Sequence, residues 1–189
     1  MAVDNTQFKN IKPAGAPTQE RKKRRGAVSE YKKSLTEKQS LKRKYGLSER
    51  QFKRYVLETL EKMGKVENVA EELIQVLERR LDNVIFRLGF AKTRAHARQM
   101  VSHAYFMVNG KAVNIPSYQV MKEDKIAIKE SKKKKPILKD LSETIKKMET
   151  HYWLNLNKEK MECLVIGQPS LKEVNPPVEI ASVFEFYSR

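Results

Sequence analysis

Hydrophobic side chains recur at helical spacing through the first part of the chain. Residues 29–45 are predicted to form a helix rich in basic residues, which Gly46 closes. Residues 68–79 carry an apolar stripe, and between these two segments a further helix begins at Ser48 with basic side chains on its opposite side. The inner stripe of that middle helix comprises Phe52, Val56, Leu60 and Met63. Together these segments predict a helical domain over residues 27–79, with one face packed and the other cationic.

Residues 80–130 follow a different pattern. Two short helices are predicted, one capped by Asp82 and stopped by Gly89, the next capped by Thr93. Their arrangement is similar to a helix-turn-helix, so DNA has to be weighed against RNA as a ligand. Three polar side chains at four-residue steps are expected to protrude from the second helix, namely Arg94, Arg98 and Ser102.

Short alternating segments come next. They predict three antiparallel strands at residues 106–108, 111–113 and 125–129. The dipeptide Asn109-Gly110 lies between the first two, and it is the strongest short hairpin signal that a sequence offers. Residues 80–130 therefore form a unit of two helices and a small antiparallel sheet.

The last third is more mixed. Residues 132–135 are interpreted as a linker, Pro136 begins a further helix, and residues 153–156 and 161–166 form a strand pair. The ending VEIASVFEFYSR fits a helical face but also partly fits strand alternation, and we prefer the helix. The overall expectation is an α+β fold.

Charge narrows the range of functions. The chain has 189 residues and a formal charge of +16, and its first 65 residues hold 18 Lys and Arg against 7 Asp and Glu. Such a balance indicates a polyanionic partner, either nucleic acid or an anionic membrane surface. No run of about 18 apolar residues is present, so no membrane span is expected. Residues 1–26, with the run RKKRR, are interpreted as a disordered basic tail.

Catalytic and metal-binding patterns are not found. The sequence has no glycine-rich phosphate loop and no nucleophile elbow, and its three histidines lack the spacing for a zinc site with Cys163. Cys163 lies in an apolar run and is interpreted as a small buried hydrophobic residue. We expect no catalytic residue, no metal and no cofactor.

The sequence has more residues suited to binding than to catalysis. Arginine holds phosphates bidentately and stacks on bases, and amides, hydroxyls and an aromatic ring follow on the adjacent turns. Such a concave, donor-rich edge suits structured RNA that is recognised by shape and phosphate contacts. The side chains that form this edge are Arg94, Arg98, Asn109, Lys111, Asn114, Ser117 and Tyr118.

These motifs are similar to a known family. The stretch RLDNVIFRLGF at 80–90, the TRA and ARQMVSH motifs within 93–103, and VNGK with VNIPSY within 108–118 resemble the RNA-binding module of ribosomal protein S4. Residues 37–52 and the ending EFYSR resemble the helical domain of that family. The resemblance extends over residues 27–189.

The resemblance implies a split architecture. A helical domain over residues 27–79 would be completed by residues 170–189, which return to pack on it. The S4 module at 80–130 would be inserted between these segments, and a helix and strand pair at 131–169 would continue the inserted part.

The resemblance also implies a function. The chain would be a structural constituent of a bacterial or organellar small ribosomal subunit and a primary 16S-type rRNA-binding protein. It would bind a multi-helix junction in the 5′ domain, nucleate assembly, and lie beside small-subunit protein five near the mRNA entry channel, where it would support translational accuracy. The expected location is the cytoplasmic ribosome, with no membrane partner.

The residues expected to contact RNA combine the basic helix faces with the edge of the S4 module. They are Arg25, Lys32, Lys33, Lys42, Arg43, Lys44, Tyr45, Arg50, Lys53, Arg54, Arg80, Arg87, Lys92, Arg94, Arg98, Gln99, Ser102, His103, Asn109, Lys111, Asn114, Ser117 and Tyr118. Two features depart from the family pattern: a short N-terminal stretch in place of a longer folded segment, and His96 at a usually acidic position.

Two alternatives remain open from the sequence. RNA pseudouridine synthases and some aminoacyl-tRNA synthetases carry the same module as an appendage, but residues outside 80–130 are too few and too basic for a catalytic domain. A free-standing RNA-binding stress or rescue factor is the other alternative. The helical segment 29–79 and the ending FYSR argue against it.

Overall fold

The computed structural model of the protein describes residues 29–133, 135, 145 and 150–188. These residues form eight helices and one five-stranded antiparallel sheet, which confirms the α+β prediction. Within the described ranges, no helix is both long and apolar enough to cross a membrane. The basic tail at 1–26 and most of the helix predicted from Pro136 lie outside the described residues, although Ile145 is helical and buried.

Three helices open the described chain as predicted. Each begins at a residue whose side chain accepts a hydrogen bond from the backbone of the first turn, namely Ser29, Ser48 and Asn68. The first helix ends at Gly46, whose φ of 61° is in the left-handed region. These helices are α1 (Glu30–Tyr45), α2 (Glu49–Leu60) and α3 (Val69–Glu78).

The next two helices are α4 (Leu81–Arg87) and α5 (Arg94–Ser102). Gly89, with φ 76°, and the Thr93 cap are both as predicted. The prediction that Asp82 caps α4 is wrong, because Asp82 lies inside the first turn. Carbonyls of the loop at 116–118 accept from the first backbone amides of α4 instead, and the Asp82 carboxylate is free for other partners.

The sheet is built around the predicted hairpin. Asn109 and Gly110 have φ 50° and 78°, the left-handed pair that a tight two-residue turn requires. The strand order is β2-β1-β3-β5-β4, all antiparallel, so the late strand pair joins the sheet through β3. The strands are β1 (Phe106–Val108), β2 (Lys111–Val113), β3 (Lys125–Ile128), β4 (Leu154–Asn157) and β5 (Glu162–Val165).

Three short helices complete the described fold. The one-turn helix α6 (Glu130–Lys133) includes Lys132 and Lys133, the first two residues of the segment interpreted as a linker, which corrects that interpretation for these two positions. After β5 come α7 (Leu171–Val174) and α8 (Ile180–Ser188). The preference for a helix near the C-terminus is confirmed.

Hydrophobic side chains gather in two separate cores. One lies between α4, α5 and the inner face of the sheet and includes Trp153. The other lies among α1, α2, α3, α7 and α8, so the C-terminal helix packs on the first three helices. Met63 is 62% exposed, contrary to the predicted stripe, because α2 ends at Leu60 and the chain turns at Gly64, with φ 84°.

A buried ionic network joins these two cores. Asp82 is 2% exposed and accepts from Arg80, which directly precedes α4, and from Arg98 of α5. The Arg80 guanidinium binds both Asp82 oxygens and also donates to the Tyr55 hydroxyl of α2 at 2.7 Å. Arg98 donates to Asp82 at 2.9 Å and reaches the carbonyls of Tyr45 and Gly46 at the end of α1.

Glu78 is the second carboxylate of this network and is fully buried. It accepts from the Tyr45 hydroxyl at 2.7 Å, from the Asn83 amide, and from Arg87 at 2.9 and 2.7 Å. Burial acts to raise the pKa of Glu78, but these hydrogen bonds and the Arg87 charge outweigh it and hold the pKa below its usual range. Glu78 is therefore a carboxylate that stays charged inside the protein.

Arg94 connects the two halves of the network. Its Nε donates to the Asn83 amide oxygen at 2.7 Å, and its guanidinium lies 4.3 Å from the Phe86 ring centroid and 5.2 Å from that of Tyr45. The arginines of α4 and α5 thus fix the S4-like helices against α1 and α2. We call this set, comprising Tyr45, Glu78, Arg80, Asp82, Asn83, Arg87, Arg94 and Arg98, the junction network.

The C-terminal helix is held by a second ionic contact. Glu49 accepts from Lys38 at 2.7 Å, from Lys42 at 2.9 Å, and from the Tyr187 hydroxyl of α8 at 2.7 Å. Burial acts to raise the pKa of Glu49, but these three hydrogen bonds outweigh it and lower the pKa to about 2. Lys38 is also stacked on the Phe186 ring, with Nζ 4.3 Å from its centroid.

Removing the Asp82 charge should destabilise the junction between the cores. In Asp82→Asn the Arg80 guanidinium would stay buried without its counter-charge, which costs about 3 kcal/mol of unfolding free energy. Urea denaturation measures this loss. The control is Glu58→Gln, because the Arg54–Glu58 pair is more than half exposed on both sides and its loss should cost at most about 0.5 kcal/mol. Equal losses in the two variants would contradict the assignment.

The Glu49 contact predicts a dependence of stability on pH. Because the folded pKa is about 2 and the usual value is 4.5, the stabilisation is complete above pH 4.5 and is lost as the pH falls toward 2. The difference in unfolding free energy between the native chain and Glu49→Gln should therefore shrink between about pH 5.5 and pH 3. Glu58→Gln should show no such trend, and a constant difference for Glu49→Gln would refute the contact.

Candidate nucleic-acid interface

Cations converge where α1 meets α4 and α5. Lys44 lies in the last turn of α1, close to the guanidinium groups of Arg87 and Arg94. Burial lowers the pKa of the Lys44 ammonium, and the positive charges of Arg87 and Arg94 lower it further, while the Glu78 carboxylate acts in the opposite direction and is outweighed. An RNA phosphate placed here would relieve that repulsion, so this point is electrostatically suited to an anion.

Exposed basic side chains extend from this point along α1 and α2. Arg43 on α1 is exposed, and so are Arg50 and Lys53 on α2. Arg54 is exposed as well, although it lies 3.6 Å from Glu58 and over the Tyr55 ring. The outward placement of these side chains follows from the buried stripe of Phe52, Tyr55, Val56 and Thr59 on the opposite side of α2.

The S4-like unit adds polar groups of its own. Its loop at 114–118 is held on α4, since the amide of Leu81 donates to the Tyr118 carbonyl at 2.8 Å and that of Asp82 to the Pro116 carbonyl at 3.2 Å. Ser117 in this loop is half-buried. The exposed predicted residues of the unit are Lys92, Gln99, Ser102, His103, Lys111, Asn114 and Tyr118.

Several predicted RNA contacts are placed differently from the expectation. Tyr45 and Arg80 are each 2% exposed, so neither presents its side chain to solvent. Arg94 and Arg98 do not protrude; both are half-buried and engaged in the junction network. Arg87 is likewise committed to Glu78. These five side chains position the helices that carry the exposed cations.

Other predicted residues also have partners within the chain. The Asn109 amide donates to Asp124 at 2.7 Å and its oxygen accepts from the backbone of Lys125, so it braces the hairpin. Lys33 is exposed but paired with Glu179, and Lys42 is paired with Glu49. Lys32 is exposed, and Arg25 lies outside the described residues.

The chemistry of the described residues suits binding. Among them, no group of three His, Cys, Asp or Glu side chains could hold a metal ion. Cys163 is buried, and burial raises the pKa of its thiol to about 12, so it is unreactive as expected.

Sequence reasoning missed one set of side chains. His96, Tyr105, Lys132 and Lys135 line a cavity together with Gln99 and His103, which were predicted to contact RNA. The helical spacing of 96, 99, 100 and 103 was a usable signal. The lysines were missed because a basic run was interpreted as a linker.

Comparison with known proteins agrees with the fold. Residues 79–126 match the S4 domain family, and residues 5–78 match the ribosomal protein S4/S9 N-terminal domain family. These two matches meet between Glu78 and Arg79, within the segment that carries the junction network.

Similar proteins cover most of the chain. A protein of Caldicellulosiruptor saccharolyticus is 45% identical over 94% of this chain and 82% of its own length, and one of Halothermothrix orenii is 44% identical over 92% and 82%. A protein of Thermotoga maritima is 42% identical over 88% of this chain and 78% of its own length. All three bear the name small ribosomal subunit protein uS4. At this identity and coverage, the chain belongs to the uS4 family of ribosomal proteins.

Proposed function

We propose that this chain is a structural constituent of the small ribosomal subunit and binds its rRNA. Relatives named for that subunit match most of the chain, and an S4 domain spans residues 79–126. The family is one of structural RNA-binding proteins rather than enzymes, which agrees with the lack of a catalytic pattern in the sequence.

The proposal rests on one observation: some basic side chains are buried and bonded within the chain, and others are exposed to solvent. The arginines of the junction network are hydrogen-bonded within the chain, whereas Arg43, Arg50, Lys53 and Lys111 face solvent. Exposed cations displace condensed counterions from RNA phosphates, which makes binding favourable and dependent on salt. The rigid junction between the cores holds these cations in a fixed spacing, as recognition of a folded RNA requires.

The resemblance of the motifs supports a more specific role. The chain would bind a multi-helix junction in the 5′ domain of the rRNA early in assembly, through the exposed members of the set of 23 residues predicted from the sequence. It would contact small-subunit protein five and mRNA near the entry channel, and so support translational accuracy in a cytoplasmic or organellar ribosome. The division into a helical domain at 27–79 and 170–189, an S4 module at 80–130 and a continuation at 131–169 is part of this proposal.

Selective binding to the 5′ domain of small-subunit rRNA tests the proposal. In a filter-binding titration the full chain should prefer that RNA over an unrelated folded RNA of equal length by at least about 100-fold. The logarithm of the affinity should fall linearly with the logarithm of the salt concentration. Equal affinity for the two RNAs would overturn the proposed function.

A sedimentation experiment separates this proposal from a free-standing RNA-binding factor. A ribosomal constituent should remain with mature small subunits through a high-salt gradient. Recovery on free large subunits or in the unbound fraction would favour the free-standing factor.

A further inference from the structure

A cavity of about 260 Å³ lies along one side of α5, apart from the junction network. Helix α5 contributes His96, Gln99, Met100 and His103, at positions that align on one helical face. Met100 is 2% exposed and provides an apolar base for the cavity, while His103 is exposed at its mouth.

The opposite wall is set by the register of the sheet. Strand β1 pairs with β3 so that Phe106 faces Ile128, and the amide of Lys129 donates to the Tyr105 carbonyl at 2.8 Å. Helix α6 follows at once and places Lys132 over the Tyr105 ring, with Nζ 4.9 Å from its centroid. Tyr105 is only 9% exposed, so its ring is a fixed wall.

We propose that this cavity binds an unpaired nucleotide of RNA, with its base on the apolar wall and its phosphate at the lysines. Met100 and Tyr105 form the apolar part of the lining, against which the base would lie. Lys132 and Lys135 offer charge for the phosphate, and two imidazoles add hydrogen-bonding groups. This inference rests on the proposed RNA binding.

The charges around the cavity have one sign. The described residues that line it include the lysines 132 and 135, the phenol of Tyr105 and two imidazoles, and none is a carboxylate. Glu130, on the same short helix, is paired with Lys133.

Binding of single-stranded RNA by the full chain tests the inference. The probes are a short single-stranded RNA, the same sequence as a duplex, and adenosine 5′-monophosphate. The Lys132→Gln, Lys135→Gln pair should weaken single-strand binding about tenfold and leave duplex binding within about twofold. The matched control removes two exposed charges elsewhere, as Lys65→Gln with Lys172→Gln, and should change single-strand binding less than about threefold.

Two further measurements identify the site and the source of the ligand. The monophosphate should shift the imidazole signals of His96 and His103 in nuclear magnetic resonance spectra. Single-stranded RNA should bind more tightly than the monophosphate. Because Lys135 is exposed, Lys135→Gln alone should leave the fold intact, so weaker RNA binding by this variant cannot be explained by unfolding.

The outcomes separate this inference from the proposed function. If the native chain binds the 5′ domain but the cavity variants bind single strands as the control does, the cavity inference is overturned and the function stands. Equal affinity for the monophosphate and the RNA would overturn the assignment to RNA. Failure of the native chain to select the rRNA would refute the proposed function itself.

Discussion

Two buried carboxylates, Glu78 and Asp82, organise the arginines on which the rest of the structure depends. Each sits where the two hydrophobic cores meet, and each is satisfied by guanidinium groups from α4, α5 or the segment between α3 and α4. Burying either carboxylate without its arginine partner would be costly in free energy, so the two cores can approach only in the geometry that pairs these charges. This constraint fixes the angle between the helical unit and the S4 domain, and with it the spacing of the exposed cations.

Local chemistry made much of the fold predictable. The dipeptide Asn109-Gly110 and the caps at Ser48 and Thr93 act within a few residues, so their signals survive in the sequence. The C-terminal helix was ambiguous from periodicity alone, and the resemblance to a family supported the preference for a helix. What could not be predicted is which neighbour covers a given polar face. Arg94 and Arg98 have the spacing of an exposed stripe, yet α1 and α4 lie against them.

The same limitation applies to the candidate interface. A guanidinium suits a buried carboxylate as well as an RNA phosphate, so residue type does not separate the two uses. The prediction that Asp82 caps α4 was wrong because the carbonyls that accept from the first amides of α4 belong to residues 116–118, more than thirty positions later in the chain. Long-range contacts of this kind also created the cavity beside α5, since only the pairing of β1 with β3 brings Lys132 over Tyr105.

The central claim is that one group of arginines holds the fold and another binds RNA. A parallel comparison of Arg98→Gln and Arg43→Gln, by urea denaturation and by the salt dependence of rRNA binding, tests it most directly. Arg98→Gln should lose about 2 kcal/mol of stability and keep the native salt slope, because its guanidinium pairs with Asp82 and backbone carbonyls. Arg43→Gln should keep its stability and lower the slope by about 1. The reverse pattern, or equal effects in both variants, would contradict the account.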